Sequence, residues 1–261
     1  MKIHEFYRSS ANITLNGSIV SLVPAIIIGI GNLYFFQSNQ IMLLTIPFIV
    51  YSFISFQVYL YRMKQAIFIN RNMSQSNSHS DSLFSAKHLV VVFMNQQESS
   101  VHLFFPDGNE AGIIKRHRQK GFQLFRKQRI YALYNKQYQA VGYYKIKKIT
   151  PWIIEVYDKN KRYLGCLKKE RITWLQEKKE MMDESGTSIG SVEGSGYFMD
   201  ECVLNQSRQQ VGRLRRGWMP VEWSGRFPEP NTPVLSLSDN LTEKEKLLRL
   251  SFLINEFFIE R

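Results

Sequence analysis

The chain has 261 residues and a formal net charge of +12. Hydrophobic residues make up 44% of the chain, and aromatic residues make up 13% of it. This composition supports one or two folded domains and excludes a chain that is disordered throughout. The two cysteines, Cys166 and Cys202, form no CxxC or zinc-ligand spacing. The sequence therefore predicts small apolar packing for them, with no need for an oxidising compartment.

Two uncharged, mainly apolar segments lie near the N-terminus, at residues 15–36 and 41–61. Each is long enough to cross the roughly 30 Å hydrocarbon core of a bilayer as a helix. Their short, uncharged connection predicts a tight two-span transmembrane hairpin over residues 1–65. The basic residues that flank the segments are Lys2, Arg8, Arg62, Lys64 and Arg71. Under the positive-inside rule they predict a protein of the cell membrane with both termini in the cytoplasm.

The spans contain no ionisable side chain, which favours an anchor over a channel or carrier. Four residues of the first span predict a kink or a helix-packing site: Pro24, Gly29, Gly31 and Asn32. The following residues 66–86 are polar and rich in serine, and they predict a flexible linker. We expect the folded cytoplasmic domain to occupy residues 87–261.

One phrase recurs five times between Phe104 and Arg215, with copies that start at positions 104, 134, 157, 182 and 204. It consists of an apolar residue, polar turn-forming residues, a glycine eight positions later and usually a basic residue eleven positions later. This order is typical of a β-hairpin. The glycine predicts a bulge or a close approach of the neighbouring backbone. Upstream, residues 89–93 and 101–105 predict two more paired strands.

The C-terminal part changes character. Thr242 and Glu245 form a capping-box pattern, which predicts a helix over residues 242–259. Apolar side chains surround this helix on every side, so it must be buried in protein or lipid. Its length of about 25 Å suits the interior of a small barrel.

Four of the repeated phrases contain their glycine at Gly112, Gly142, Gly165 and Gly212. Together with the helix from Leu241 to Ile259, they resemble the tubby C-terminal-like superfamily, which includes tubby, the phospholipid scramblases and the LURP-one-related proteins. The resemblance covers residues 87–261. It implies a mainly β fold, a closed antiparallel barrel of about twelve strands around a buried C-terminal helix, joined here to an α-helical membrane anchor. The cysteine-rich and acidic calcium-binding segments of scramblases do not occur, so scramblase activity does not carry over.

Positive charge is concentrated between Lys115 and Lys179, where 19 Lys and Arg residues accompany four Asp and Glu residues, a local balance of +15. Members of one repeat position should point to the same side of their strands. That position is occupied by Lys115, Lys145, Lys168 and Arg215. Tubby-type barrels bind phosphorylated lipid headgroups through a basic patch, so the resemblance and the charge both predict a partner among anionic lipids. The candidate headgroup-binding residues are Lys115, Arg116, Lys145, Lys147, Lys148, Lys168, Lys169, Arg171, Arg213 and Arg215.

Three alternative functions compete with this prediction. A regulatory or structural protein could bind a protein partner through its barrel or spans, with Gly29, Gly31 and Asn32 as the contact to mutate. Lipid scrambling needs a polar track through the membrane, which the spans do not supply. Nucleic-acid binding by the basic hairpins conflicts with a membrane tether, although stacking candidates exist. These candidates are Tyr143, Tyr144 and Trp152.

No sequence motif predicts an enzyme, a metal or a cofactor. Residues 186–190 match the GxSxG pattern, but they lie in a hairpin copy and the last histidine, His117, precedes them. We therefore interpret Ser188 as a turn residue. The five histidines have no metal-ligand spacing, and no glycine-rich nucleotide loop occurs.

Overall fold

The computed structural model describes residues 1–73, 82–95, 98–117, 129–147, 151–171, 177–195 and 199–259. The chain divides into two compact units, Met1–Asn77 and Ser78–Arg261. The first is helical, and the second is a β-barrel that is filled by two short helices. The mainly β fold with an N-terminal helical segment, predicted from the sequence, is confirmed.

The helical unit contains α1 (Ile3–Gly31), a π-helical turn (Asn32–Phe36), α2 (Asn39–Leu43) and α3 (Ile46–Met73). Two stretches, Ile3–Phe35 and Asn39–Met73, are long and apolar enough to span a membrane. Helix α3 continues to Met73, so it includes the first residues of the segment that the sequence predicts as a linker.

The two long helices run antiparallel. The Ser18 hydroxyl donates to the backbone oxygen of Ser52 at 2.9 Å, and the Arg62 guanidinium donates to the Ser10 hydroxyl. Asn32 shapes the connection, because its Oδ1 accepts the backbone N–H of Ser38 at 2.9 Å. A Cβ atom at Gly29 or Gly31 would meet nothing within 4 Å. Helix packing inside this unit therefore does not require these two glycines.

The second unit contains twelve strands among its described residues. In chain order they are β1 (His88–Asn95), β2 (Ser99–Phe104), β3 (Glu110–Arg116), β4 (Arg129–Asn135), β5 (Ala140–Lys147), β6 (Trp152–Asp158), β7 (Tyr163–Arg171), β8 (Glu177–Asp183), β9 (Ser188–Ser195), β10 (Asp200–Asn205), β11 (Gln210–Arg215) and β12 (Val234–Leu237). Each strand pairs antiparallel with its neighbours in sequence, and β1 pairs with β12. The sheet therefore closes into a barrel without an edge strand, as predicted.

All five copies of the repeated phrase form hairpins, and all five hairpins turn at the same end of the barrel. The turns are residues 105–109, 135–139, 158–162, 183–187 and 205–209. In each, the fourth residue has a positive φ, for example 57° at Tyr138 and 82° at Gly186. In four of them the first side chain, an Asn or Asp, accepts backbone N–H groups of the turn. We call this end of the barrel the turn end and the opposite end the far end.

The repeated glycine makes room for a bulge. The strand register shifts by one residue beside the glycine in every hairpin, for example between Met181 and Met182 opposite Gly190. At Gly190 the φ angle is 154°, and a Cβ would lie 2.0 Å from the backbone oxygen of Leu204. Both predicted roles of the glycine, a bulge and a close backbone approach, are confirmed.

The barrel interior is filled by α4 (Glu243–Arg249) and α5 (Ser251–Phe258). The predicted capping box is present at Thr242 and Glu245. The single predicted helix is interrupted at Leu250, whose ψ of −11° replaces the α-helical hydrogen-bond pattern by a tighter turn. The helices run from the turn end, where Leu247 packs over Gly142, to the far end, where the Phe258 and Tyr131 ring centroids are 4.3 Å apart.

An irregular segment, residues 216–233, leaves the wall after β11 and returns to it at β12. It contains a 3₁₀ turn at Val221–Trp223. Phe227 packs edge-on against the outward-facing Phe104 at 6.3 Å, and Arg226 donates to the backbone oxygen of Pro106 at 3.3 Å. The segment therefore covers part of the outer wall.

Candidate functional site

The candidate headgroup residues occupy two kinds of position in the barrel wall. Side chains alternate between the two faces of a strand, and the buried core residues mark the inner face. Because Ile114, Tyr144, Ile146, Leu167 and Leu214 are buried in the core, their neighbours point outward. We call these neighbours the outer-wall cations: Lys115, Lys145, Lys147, Lys168, Arg213 and Arg215.

Three other candidates occupy inward-facing positions. Arg116, Lys169 and Arg171 lie near the far ends of β3 and β7, where the lumen opens. Lys169 is 2.7 Å from Glu177, whereas Arg116 and Arg171 are exposed. Lys148 lies outside the described residues.

The outer-wall cations do not form one patch. The four that share a repeat position lie on β3, β5, β7 and β11, each three residues beyond the glycine. Since β5 and β11 are six strands apart in either direction around the twelve-stranded barrel, Lys145 and Arg215 face opposite ways. A flat surface that touches the side of the barrel can therefore reach Lys145 or Arg215, but not both.

Acidic residues on the same wall neutralise only part of this charge. Glu155 is shared by Lys147, at 2.5 Å, and Lys145, at 3.9 Å. Tyr157 donates its hydroxyl to the same carboxylate at 2.9 Å. Partial burial, together with this hydrogen bond, raises the pKa of Tyr157 to about 12. The β5–β6 region therefore carries two cations for one carboxylate.

The β10–β11 region repeats this arrangement. Arg213 donates two hydrogen bonds to Asp200, at 2.7 and 2.8 Å, and Arg215 lies 3.7 Å from the same carboxylate. The hydrogen bonds from Arg213 lower the pKa of Asp200 although partial burial opposes the shift. Two guanidinium groups again share one carboxylate.

Aromatic rings contact two of the outer-wall cations. The Lys115 ammonium lies over the rings of Tyr134 and Tyr138, at 5.1 and 5.6 Å from their centroids. The Arg215 guanidinium carbon is 3.4 Å from the centroid of the Trp218 ring. Such contacts orient the cations without neutralising them. Trp218 lies in the irregular segment after β11 and was given no role from the sequence, although it closely follows the run Arg213-Leu-Arg-Arg216.

A second charged cluster is buried inside the barrel. The Lys179 ammonium is 2.7 Å from Glu256 Oε1 and 3.4 Å from Glu201 Oε1, and all three side chains are less than a tenth exposed. Glu256 belongs to α5, whereas Lys179 and Glu201 belong to β8 and β10. The cluster therefore ties the central helix to the wall, and its burial suits a structural role better than contact with a ligand.

A buried hydrogen-bonded chain joins Ser100, His102 and Glu110. His102 Nδ1 is 2.6 Å from Glu110 Oε1, and its Nε2 is 3.2 Å from Ser100 Oγ. The order of contacts matches that of a serine hydrolase triad. All three residues are buried and Ser100 lies within β2, so the chain is better explained as satisfied polar groups in the wall. Ser188 of the GxSxG pattern is the first residue of strand β9, one position beyond the hairpin turn, whereas the sequence predicts a turn residue.

A cavity of about 470 Å³ lies at the turn end, between the chain before β1, two hairpin turns and the start of α4. Its lining includes Leu83, Phe84, Val141, Lys136, Lys159 and Glu243. Among the described residues no group of three or more His, Cys, Asp or Glu side chains is placed to hold a metal ion.

The fold defines a class of protein: closed twelve-stranded antiparallel barrels with a helix in the lumen, a description that fits a tubby-like barrel. No protein-family model and no curated protein matches the chain. Among solved structures, the chain is similar to the X-ray structure of the protein AT5G01750 from Arabidopsis thaliana, with a TM-score of 0.44 and 13% sequence identity. The match covers 71% of this chain and 100% of that one.

Proposed function

We propose that the chain is a membrane-anchored binding module of the tubby-like superfamily, which binds anionic or phosphorylated lipid headgroups on the wall of its barrel. The apolar stretches Ile3–Phe35 and Asn39–Met73 anchor it. With basic residues before the first and after the second, both termini and the barrel face the cytoplasm of the cell. The cytoplasmic leaflet is the one that carries anionic lipid.

The observation that carries this proposal is that, at two places on the outer wall, two cations share one carboxylate. Lys145 and Lys147 share Glu155, and Arg213 and Arg215 share Asp200. Each shared pair keeps one positive charge that phosphate oxygens can neutralise. A Lys or Arg close to an anionic leaflet contributes about 1 kcal/mol to binding.

Vesicle co-sedimentation of the barrel unit, residues 78–261, tests this proposal. The core of this unit consists of residues between Leu83 and Phe257, so we expect it to fold without the N-terminal helical unit. The test variant carries Arg213→Gln, Arg215→Gln and Arg216→Gln, which remove the positive charge at the end of β11. From about 1 kcal/mol for each lost charge, binding to vesicles with anionic or polyphosphorylated lipids should weaken by about a hundredfold.

A charge-matched control carries Lys136→Gln, Lys159→Gln and Lys161→Gln, which lie in two of the turns at the turn end. We expect this control to bind like the unchanged barrel. Equal weakening in both variants would show that only net charge matters and would refute headgroup binding at the outer wall. Failure of the unchanged barrel to bind any vesicle at moderate salt would refute the lipid proposal and favour a protein partner.

A further inference from the structure

Large apolar side chains are rarely exposed on the barrel unit. Within its described residues, those with more than a third of their surface exposed are Tyr138, Trp218 and Val221, at 56%, 65% and 86%. Tyr138 belongs to a turn at the turn end and lies under Lys115. Trp218 and Val221, by contrast, are three residues apart in one segment, directly after the last basic strand. The exposure of two large apolar side chains in one short segment distinguishes this segment from the other described parts of the barrel unit.

The surroundings of Trp218 are cationic. The Arg215 guanidinium stacks on the indole ring at 3.4 Å, and Arg216 follows with an exposed side chain that donates to the backbone oxygen of Asn231 at 3.2 Å. Trp218 thus carries one guanidinium group on its ring, and a second, exposed arginine lies two positions before it in the chain. Tryptophan next to arginine suits the membrane interface, because the indole ring can lie at the boundary between acyl chains and headgroups while the guanidinium binds phosphate.

We propose that Trp218 and Val221 enter the interfacial region of the bilayer, while Arg215 and Arg216 hold the headgroups beside them. This inference rests on the proposed function and deepens it by naming an apolar contact. It selects the β10–β11 side of the barrel as the side that meets the membrane, since Lys145 on β5 faces the opposite way.

A bilayer fits this site better than a protein partner for two reasons. The chain itself contains two stretches long and apolar enough to enter a membrane. The cationic surroundings also complement an anionic leaflet.

Tryptophan fluorescence of the full-length protein tests the inference. The four tryptophans are Trp152, Trp174, Trp218 and Trp223, so the apolar N-terminal stretches contribute no signal. The protein is reconstituted into vesicles of phosphatidylcholine, with or without phosphatidylglycerol, whose acyl chains either do or do not carry bromine. We expect bromine to quench the emission in the anionic vesicles. Trp218→Phe should remove at least about half of that quenching, because an interfacial ring lies next to the acyl chains.

Trp223→Phe is the matched control, because Trp223 is partly buried and lies against His88 at 6.1 Å. It should keep the quenching of the unchanged protein. Adding Val221→Trp to Trp218→Phe should restore the lost quenching. Equal quenching of Trp218→Phe and unchanged protein would overturn the inference, even if co-sedimentation shows headgroup binding. Quenching that depends on Trp218 in neutral and anionic vesicles alike would support the apolar contact and contradict the headgroup proposal.

Discussion

The inner and outer faces of the barrel wall carry charge in different ways. Inside, one ammonium group, Lys179, serves two carboxylates, and all of them are buried. Outside, one carboxylate serves two cations, and the side chains of Lys145 and Lys147 are 27% and 34% exposed. Burial makes the inner charges costly to disturb, whereas water screens the outer ones.

This difference assigns separate roles to the two faces. The inner face determines the fold, because its glycines, its apolar side chains and the buried cluster of Lys179, Glu201 and Glu256 tolerate little change. The outer face can lose or gain a charge at small cost in stability and is therefore free to serve binding. Substitutions on the two faces should differ by several kcal/mol in the free energy of unfolding, and the following predictions test that separation.

The largest effect is expected from Gly190→Ala on the inner face. The new Cβ would lie 2.0 Å from the Leu204 backbone oxygen, and the φ of 154° is strained for alanine. Because the approaching atom belongs to the backbone, the bulge must open. We expect a loss of about 4 kcal/mol or more, which leaves little of the stability of a small domain. Urea unfolding of residues 78–261, followed by circular dichroism, measures it.

Gly186→Ala is the matched control for this substitution. Gly186 also has a positive φ, 82°, but a Cβ there would meet nothing within 4 Å. Only the backbone cost of about 1 kcal/mol should remain. If both variants lose the same stability, the close backbone approach at Gly190 is not what constrains the bulge.

Lys179→Met should have the second largest effect. It leaves Glu201 and Glu256 buried without the ammonium group that lies 2.7–3.4 Å from them. Breaking a buried ion cluster costs about 3–5 kcal/mol, and here it would loosen α5 in the lumen. The same unfolding measurement applies, with near-UV circular dichroism as a check on the packing of the central helix.

The neighbouring Lys178→Met is the control on the outer face. Lys178 is 2.6 Å from Glu180, but its side chain is 53% exposed. We expect no measurable change in stability. A Lys178→Met variant as unstable as Lys179→Met would contradict the assignment of the two lysines to opposite faces.

Local patterns in the sequence predict much of this fold. The repeated phrase gives the register of all five hairpins, and its glycine marks the bulge in each. The alternation of side chains along a strand also places the shared basic position outside. Applied strictly, the same alternation would have separated Lys168 from Lys169 and Arg171, which were grouped because they are adjacent in the chain.

The remaining features depend on closure of the barrel and on distant contacts. No local pattern shows that β5 and β11 lie on opposite sides, because this follows from the pairing of β1 with β12. Lys179 meets Glu256 across 77 positions of sequence. Trp218 could have been singled out, since a tryptophan that follows an arginine run in an irregular segment has no strand neighbour to cover it. The break at Leu250 has no signal that we recognise in the sequence.

A smaller effect than that of the inner-face substitutions is expected from Asp200→Asn on the outer face. Asp200 has a lowered pKa because Arg213 donates two hydrogen bonds to its carboxylate. A carboxylate whose pKa is lower in the folded state stabilises the fold above the pKa of the unfolded chain, about 3.9, and this stabilisation is lost as the pH falls through the folded value. Since the pair is about a third exposed, Asp200→Asn should cost no more than about 1 kcal/mol at pH 7. The difference from the unchanged barrel should shrink towards zero below about pH 4.

Urea unfolding between pH 3 and pH 7 measures this difference in stability between Asp200→Asn and the unchanged barrel. The control is Asp239→Asn, which removes the carboxylate of the exposed pair Lys87–Asp239. A difference that stays constant with pH would show that the carboxylate charge plays no part, and that Asp200→Asn acts through packing alone.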